Sequence, residues 1–146
     1  MKKYYPYIFS LTFFSCITNR DNSVDIKKID SSTVQPINKE IEEKYLEAIP
    51  KKFHKKENEI LIFFTKGEFS VEKLIINRKD TIKLKGDCGL MPFIQSKKQK
   101  KILLQTPDGN KKKIKLLSNF DYIVVEAENK KWYVTYYPYF PVIRCL

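Results

Sequence analysis

From residue 59 onward the chain is a succession of short apolar runs cut by turn residues. This rhythm constrains the fold more than any other feature. Residues 60–64 read Ile-Leu-Ile-Phe-Phe, an unbroken run of β-formers suited to a central strand. Residues 65–68 form a turn, and residues 71–76 a second strand. Asn77-Arg78-Lys79-Asp80 leads into residues 81–85, where Ile82 and Leu84 alternate with polar neighbours. Residues 86–100, with Pro92, read as a longer irregular connection. Ile102 and Leu104 mark the next strand. Pro107-Asp108-Gly109-Asn110 is the strongest hairpin turn, because Gly109 takes positive φ at no steric cost. The return strand turns Ile114 and Leu116 inward and Lys113 and Lys115 outward. Residues 120–127, a turn at 128–130 and residues 131–137 make a further hairpin. Pro138 and Pro141 leave the tail as an edge strand or an extended segment.

That makes about seven strands joined mostly by short turns, which antiparallel pairs allow and parallel pairs do not. The expected fold is mainly β: an antiparallel β-sandwich, or a partly closed barrel, with one N-terminal α-helix. The helix spans residues 38–49. Asn38 suits its N-cap, Glu40, Glu42 and Glu43 favour its first turns, and Pro50 stops it. Ile41, Tyr45 and Ile49 stand four apart and give one apolar stripe. Residues 51–56 are a short basic connector.

The first sixteen residues have a different grammar. Lys2 and Lys3 precede an apolar stretch over residues 4–14, and Ser15 stands directly before Cys16. At about eleven residues the stretch falls short of the roughly 20 that a spanning helix needs. The order of positive, apolar and small residues before a cysteine resembles the signal peptide of bacterial lipoproteins, which are cut before the cysteine and lipidated on it. Phe13 stands where that family prefers an aliphatic residue. An ordinary secretory signal cut elsewhere, or an uncleaved anchor, are the alternatives. The resemblance implies a signal peptide (1–15) and a lipidated Cys16; polar composition makes 16–37 a tether, and the strand pattern makes 38–146 a single β-rich domain. Ile17, rather than Asp, follows the cysteine, which the resemblance reads as outer-membrane placement, facing the periplasm or the cell surface. The membrane is then one partner, reached through the lipid.

Lipidation of Cys16 would leave Cys88 and Cys145 as an even pair in an oxidising compartment, a candidate disulfide. It would close a loop of roughly 57 residues and contribute up to about 4 kcal/mol in the chain-entropy model.

The formal net charge is +11, and removing the first fifteen residues with their two lysines lowers it to +9. Nucleic acid is a poor fit as a partner. Only Arg20, Arg78 and Arg144 are arginines, whereas phosphate and base readout favours the guanidinium fork. Lysines cluster at Lys97, Lys98, Lys100 and Lys101 and again at Lys111, Lys112, Lys113 and Lys115. Pairing through the hairpin at Gly109 would gather them into a basic patch, with Lys97, Lys98, Lys111, Lys112 and Lys113 as its candidates. Edge protection and solubility account for the same residues. A second binding candidate is the aromatic block holding Trp132, Tyr133, Tyr137 and Tyr139. On a strand, Trp132, Val134 and Tyr136 face one side and Tyr133, Thr135 and Tyr137 the other, so one set is core and the other needs cover from the helix or a partner.

The sequence offers no catalytic constellation, no metal-ligand spacing and no cofactor motif. His54 sits among Lys51, Lys52, Lys55 and Lys56. The glycines are turn candidates, no serine has a nucleophile-elbow context, and no Cys or His spacing fits zinc. The reading is a non-enzymatic outer-membrane lipoprotein that binds a protein or glycan partner in the envelope. The alternatives are an inhibitor or immunity lipoprotein against a toxin or hydrolase, and a small periplasmic hydrolase.

Overall fold

The computed structural model describes residues 24–33, 35–65, 73–83, 91–107, 109–128 and 131–143. Cys16, Cys88 and Cys145 lie outside the described residues, and so do the expected cleavage, lipidation and disulfide.

The described chain is mainly β, with nine strands in two open sheets and one α-helix. The strands are β1 (Val24–Lys28), β2 (Glu59–Phe64), β3 (Leu74–Ile76), β4 (Asp80–Ile82), β5 (Met91–Ser96), β6 (Lys101–Gln105), β7 (Lys111–Lys115), β8 (Tyr122–Glu128) and β9 (Lys131–Tyr137). The first sheet has the order β1-β9-β8-β2-β5 and the second β4-β3-β6-β7. The helix, α1 (Pro36–Ala48), packs on the far side of the first sheet, so the layers run helix, sheet, sheet.

Period-2 alternation sets this layering. Ile60, Ile62 and Phe64 of β2, Ile123 and Val125 of β8, and Trp132, Val134 and Tyr136 of β9 point between the sheets. They meet Leu74, Ile76, Ile102, Leu104 and Ile114 from the second sheet. Each fully buried aliphatic or aromatic side chain contributes about 1.5–3 kcal/mol, so this core is the main source of stability. Leu61, Phe63, Tyr122 and Val124 point the other way and are buried beneath Ile41 and Tyr45 of α1 and Phe140 of the tail. An unbroken apolar run at β2 therefore means a strand covered on both faces.

The structure corrects the sequence reading in several places. The described residues alone hold nine strands, not seven. The expected tether at 16–37 contains β1, which pairs parallel with β9, followed by a 3-10 turn at Ser31–Thr33. Four of the five β1 residues are exposed, so hydropathy gave no sign of it; backbone pairing holds it, and it covers the β9 edge. The expected irregular connection contains β5, paired antiparallel with β2. Pro92 is tolerated there because β5 is the other edge of the first sheet. Finally, β2 pairs parallel with β8, so the first sheet is mixed rather than antiparallel throughout.

The helix begins earlier than the sequence suggests. Gln35 is its N-cap, Pro36 opens it, and Asn38 lies one turn inside. Asn38 is buried, accepts a hydrogen bond from the Gln35 N–H at 2.8 Å, and donates from Nδ2 to the Phe140 carbonyl at 2.9 Å. It thus ties the helix start to the C-terminal segment.

Candidate functional site

The hairpin of β6 and β7 builds a basic surface on the far side of the second sheet. Its register sets Lys101 opposite Lys115, Leu103 opposite Lys113 and Gln105 opposite Lys111. Gly109, at φ 88°, supplies the left-handed residue of the turn, and Thr106 N–H to Asn110 C=O (3.0 Å) closes the strand ends. Ile102, Leu104 and Ile114 face the core, so alternation sends Lys101, Lys111, Lys113 and Lys115 to solvent on one face. Ile75, Leu103 and Gln105 are half-buried on the same face. Like charges directly opposite each other, as in Lys101 and Lys115, cost stability.

The predicted patch is only partly gathered. Lys111 and Lys113 share the face, whereas Lys112 lies opposite Leu104 on the core-side row and is half-buried. Lys97 turns instead to Asp121, at 2.7 Å, a carboxylate that also receives Lys55 at 3.3 Å. Lys98 is exposed, its N–H on the Ser96 hydroxyl at 3.3 Å.

Beside the basic face lies an open cavity of about 590 Å³, lined in part by Arg78, Lys79, Gln95, Gln99, Lys101 and Lys113. Arg78 and Lys79 come from the β3–β4 turn, which the Lys79 N–H closes on the Ile76 carbonyl at 3.0 Å. Two consecutive residues of that turn, Asn77 (φ 51°) and Arg78 (φ 62°), are left-handed. Asn tolerates this conformation; an arginine held there is strained by about 1 kcal/mol or more. The turn is clamped to β6: the Asn77 N–H donates to the Leu103 carbonyl at 2.8 Å, and Asn77 Oδ1 accepts from the Leu103 N–H at 3.0 Å. Since Leu103 lies between Lys101 in sequence and Lys113 across the ladder, the clamp brings the strained arginine to the lysine pair. Asp80 is the carboxylate among the described lining residues. Sequence reading took 77–80 as a plain turn. The Asn-Arg pair at its centre, where glycine is the easy choice, was the available signal.

The aromatic candidates lie elsewhere. Trp132 is 4% exposed in the inter-sheet core and presents no surface to a partner. Tyr137 packs against the helix-side cluster and sits edge-on to Tyr139 at 6.2 Å. The Tyr139 hydroxyl is 2.6 Å from that of Thr33, and either can donate. Tyr133 is half-buried beside Lys131, whose ammonium lies 5.6 Å from its ring and 2.6 Å from Asp25. The cover for this face is thus largely internal.

Under the helix is a second, smaller cavity of about 100 Å³, bordered by Glu42, Tyr45, Lys55 and Tyr122. The Tyr122 hydroxyl donates to Glu42 Oε1, and the Lys55 ammonium stands 5.3 Å from the Tyr122 ring. Burial, reinforced by the Glu42 carboxylate, pushes the Tyr122 phenol well above its ordinary range. Burial alone pushes Tyr45 up to about 12. A cavity of this size holds a few waters and no substrate of note.

Among the described residues no group of three or more His, Cys, Asp or Glu could hold a metal ion, and no helix is long and apolar enough to cross a membrane. His54 is half-buried, a ring nitrogen 3.2 Å from the Ile49 carbonyl. Comparison with protein-family models, with curated proteins and with solved structures finds no match for this chain.

Proposed function

We propose that this chain is a non-enzymatic binding module of the bacterial envelope, lipidated on Cys16, held at the outer membrane, and engaging an anionic glycan there. The anchor rests on the sequence resemblance. The binding reading is carried by one observation: four lysines on the open face of the second sheet, two of them directly opposed at a cost, beside a polar cavity. Charge complementarity selects an acidic partner, and the amide-bearing Gln95 and Gln99 favour a hydroxyl-rich one. The single carboxylate among the described residues of each cavity weighs against hydrolysis by paired acids.

Expression of the full chain in a Gram-negative host with labelled palmitate tests the anchor. Label should enter the wild type and not Cys16→Ser, which should leave the membrane fraction. Labelling of neither overturns the anchor. Retention of the full chain on an immobilised acidic polysaccharide tests the face. Lys101→Glu with Lys113→Glu should abolish retention at physiological salt. Unchanged retention overturns the glycan reading, as does capture of an acidic envelope protein without any retention on glycan.

A further inference from the structure

We infer that the cavity at the β3–β4 turn is a binding site for a phosphorylated sugar, with Arg78 as the residue that grips the phosphate. The inference deepens the glycan reading above and rests on it for the face, but not for the lipid anchor.

Four features of the cavity lead to this ligand class. The first is charge. Arg78, Lys79, Lys101 and Lys113 face a single carboxylate, Asp80, so the described lining is strongly cationic. A phosphomonoester carries about −1.5 to −2 at neutral pH and three acceptor oxygens, against −1 and two oxygens for a carboxylate. The second is size. About 590 Å³, though open to solvent, lies within the range of small-molecule sites and leaves room for a body beside a bound oxyanion. The third is the chemistry offered to that body. Gln95 and Gln99 each present a donor and an acceptor, as ring hydroxyls require. No aromatic residue stands among the described lining residues, so nothing there would stack a nucleobase, and a sugar fits better than a nucleotide.

The fourth feature is the conformation of Arg78. A turn that needs two left-handed residues is best filled by Asn and Gly. This chain places an exposed arginine at the second position, at φ 62°, where it forms no salt bridge among the described residues. Local strain kept for a planar, two-pronged cation is the expected signature of oxyanion recognition, since the guanidinium fork pairs two phosphate oxygens at once. The Asn77–Leu103 clamp fixes the arginine's backbone relative to Lys101 and Lys113 before any ligand arrives. Less ordering then remains to oppose binding.

The same phosphosugar chemistry is available from a soluble sugar phosphate and from the headgroup of a phosphoinositide-type lipid, and the experiment separates them. The full chain, purified in neutral detergent, is titrated calorimetrically with glucose 1,6-bisphosphate, glucuronate and glucose. Its Cys16→Ser form, free of acyl chains that would insert into any bilayer, is also sedimented with phosphatidylcholine vesicles with and without phosphatidylinositol 4-phosphate. Binding of the bisphosphate identifies a soluble source; binding confined to the phosphoinositide vesicles identifies a headgroup. Arg78→Gly removes the side chain while accepting the same φ, so its melting temperature should stay close to wild type or rise. Its affinity should fall about tenfold or more for whichever source binds. Arg78→Lys should recover only part of that loss. Lys39→Ala removes an equal charge from α1 and should leave binding unaltered. The inference is overturned if neither source binds, if glucose or glucuronate binds as tightly as the bisphosphate, or if Lys39→Ala weakens binding as much as Arg78→Gly. Cys16→Ser should bind the phosphate as wild type does. A wild type that takes up no palmitate yet binds the phosphate therefore refutes the lipoprotein reading alone.

Discussion

The two sheets share one apolar core, yet their far sides end in opposite environments. On the five-stranded sheet, Leu61, Phe63, Tyr122 and Val124 are buried under α1 and Phe140, and the Phe63 ring meets Tyr45 and Phe140 edge-on, each at 5.6 Å. On the four-stranded sheet, the corresponding face exposes Lys101, Lys111, Lys113 and Lys115 around the half-buried Ile75, Leu103 and Gln105. Both faces follow the same alternation, and the side-chain chemistry alone decides which is sealed. The sealed face carries stability; the open face bears charges that stability does not need. A cavity lined by cations, beside a strained arginine, lies on the open side.

The contrast is broken most severely by Phe63→Ala, which empties the space between sheet and helix. It should cost about 3–5 kcal/mol, read from the urea midpoint at constant slope. A loss below about 1 kcal/mol would mean that α1 is not a structural cover.

Alkali probes the buried phenols next. Burial holds Tyr45 and Tyr136 up to about 12 in the fold, against about 10 in the unfolded chain. Both therefore favour the folded state fully below pH 10, and that contribution is lost as pH rises through about 12. For Tyr136, 1% exposed, this is on the order of 2–3 kcal/mol. Phenolate absorbance should lag in the native protein and appear together with unfolding. A smooth titration near pH 10 with the fold intact would contradict it.

Asn38→Ala should have a smaller effect, about 1–3 kcal/mol, because it leaves the Phe140 carbonyl and the Gln35 N–H without their partner. Loss of helical circular dichroism ahead of the β signal would locate the damage. On the open face, Lys111→Ala and Lys113→Ala should shift stability by no more than about 0.5 kcal/mol. Lys115→Ala should be neutral or slightly stabilising, since it removes the repulsion with Lys101. Thermal melts at low and high salt would check the sign, because screening should erase the gain. A large loss at any of these lysines would mean that the face is structural after all.

How legible this was in the sequence follows from how local each feature is. The β6–β7 hairpin was readable because Gly109 marks its turn and Ile114 alternates with lysines. The β8–β9 hairpin was readable from two β-forming runs flanking a polar break at 128–130, and β2 from its unbroken apolar run. By contrast, β1 reads Val-Asp-Ile-Lys-Lys, with three of its five residues charged; only the distant edge of β9 makes it a strand. β5 was hidden by Pro92, which an edge position excuses. The parallel pairing of β2 with β8 joins residues some sixty apart, beyond any local pattern. The basic patch was legible as composition, but register put Lys112 on the core-side row, and Lys97, outside the ladder, pairs with the distant Asp121. The cavity was not legible, since it needs the Asn77 clamp across to Leu103.

The first strand has one more consequence, for an acylated Cys16. Val24, the first residue of β1, lies eight Cα steps after Cys16, so an acyl group there could stand at most roughly 29 Å from the strand. That is a short mooring line. Whatever such a molecule grasps must come down to the bilayer surface to be held. A tug on the line would run along β1 and strain its ladder with β9 lengthwise, all the hydrogen bonds together rather than one after another.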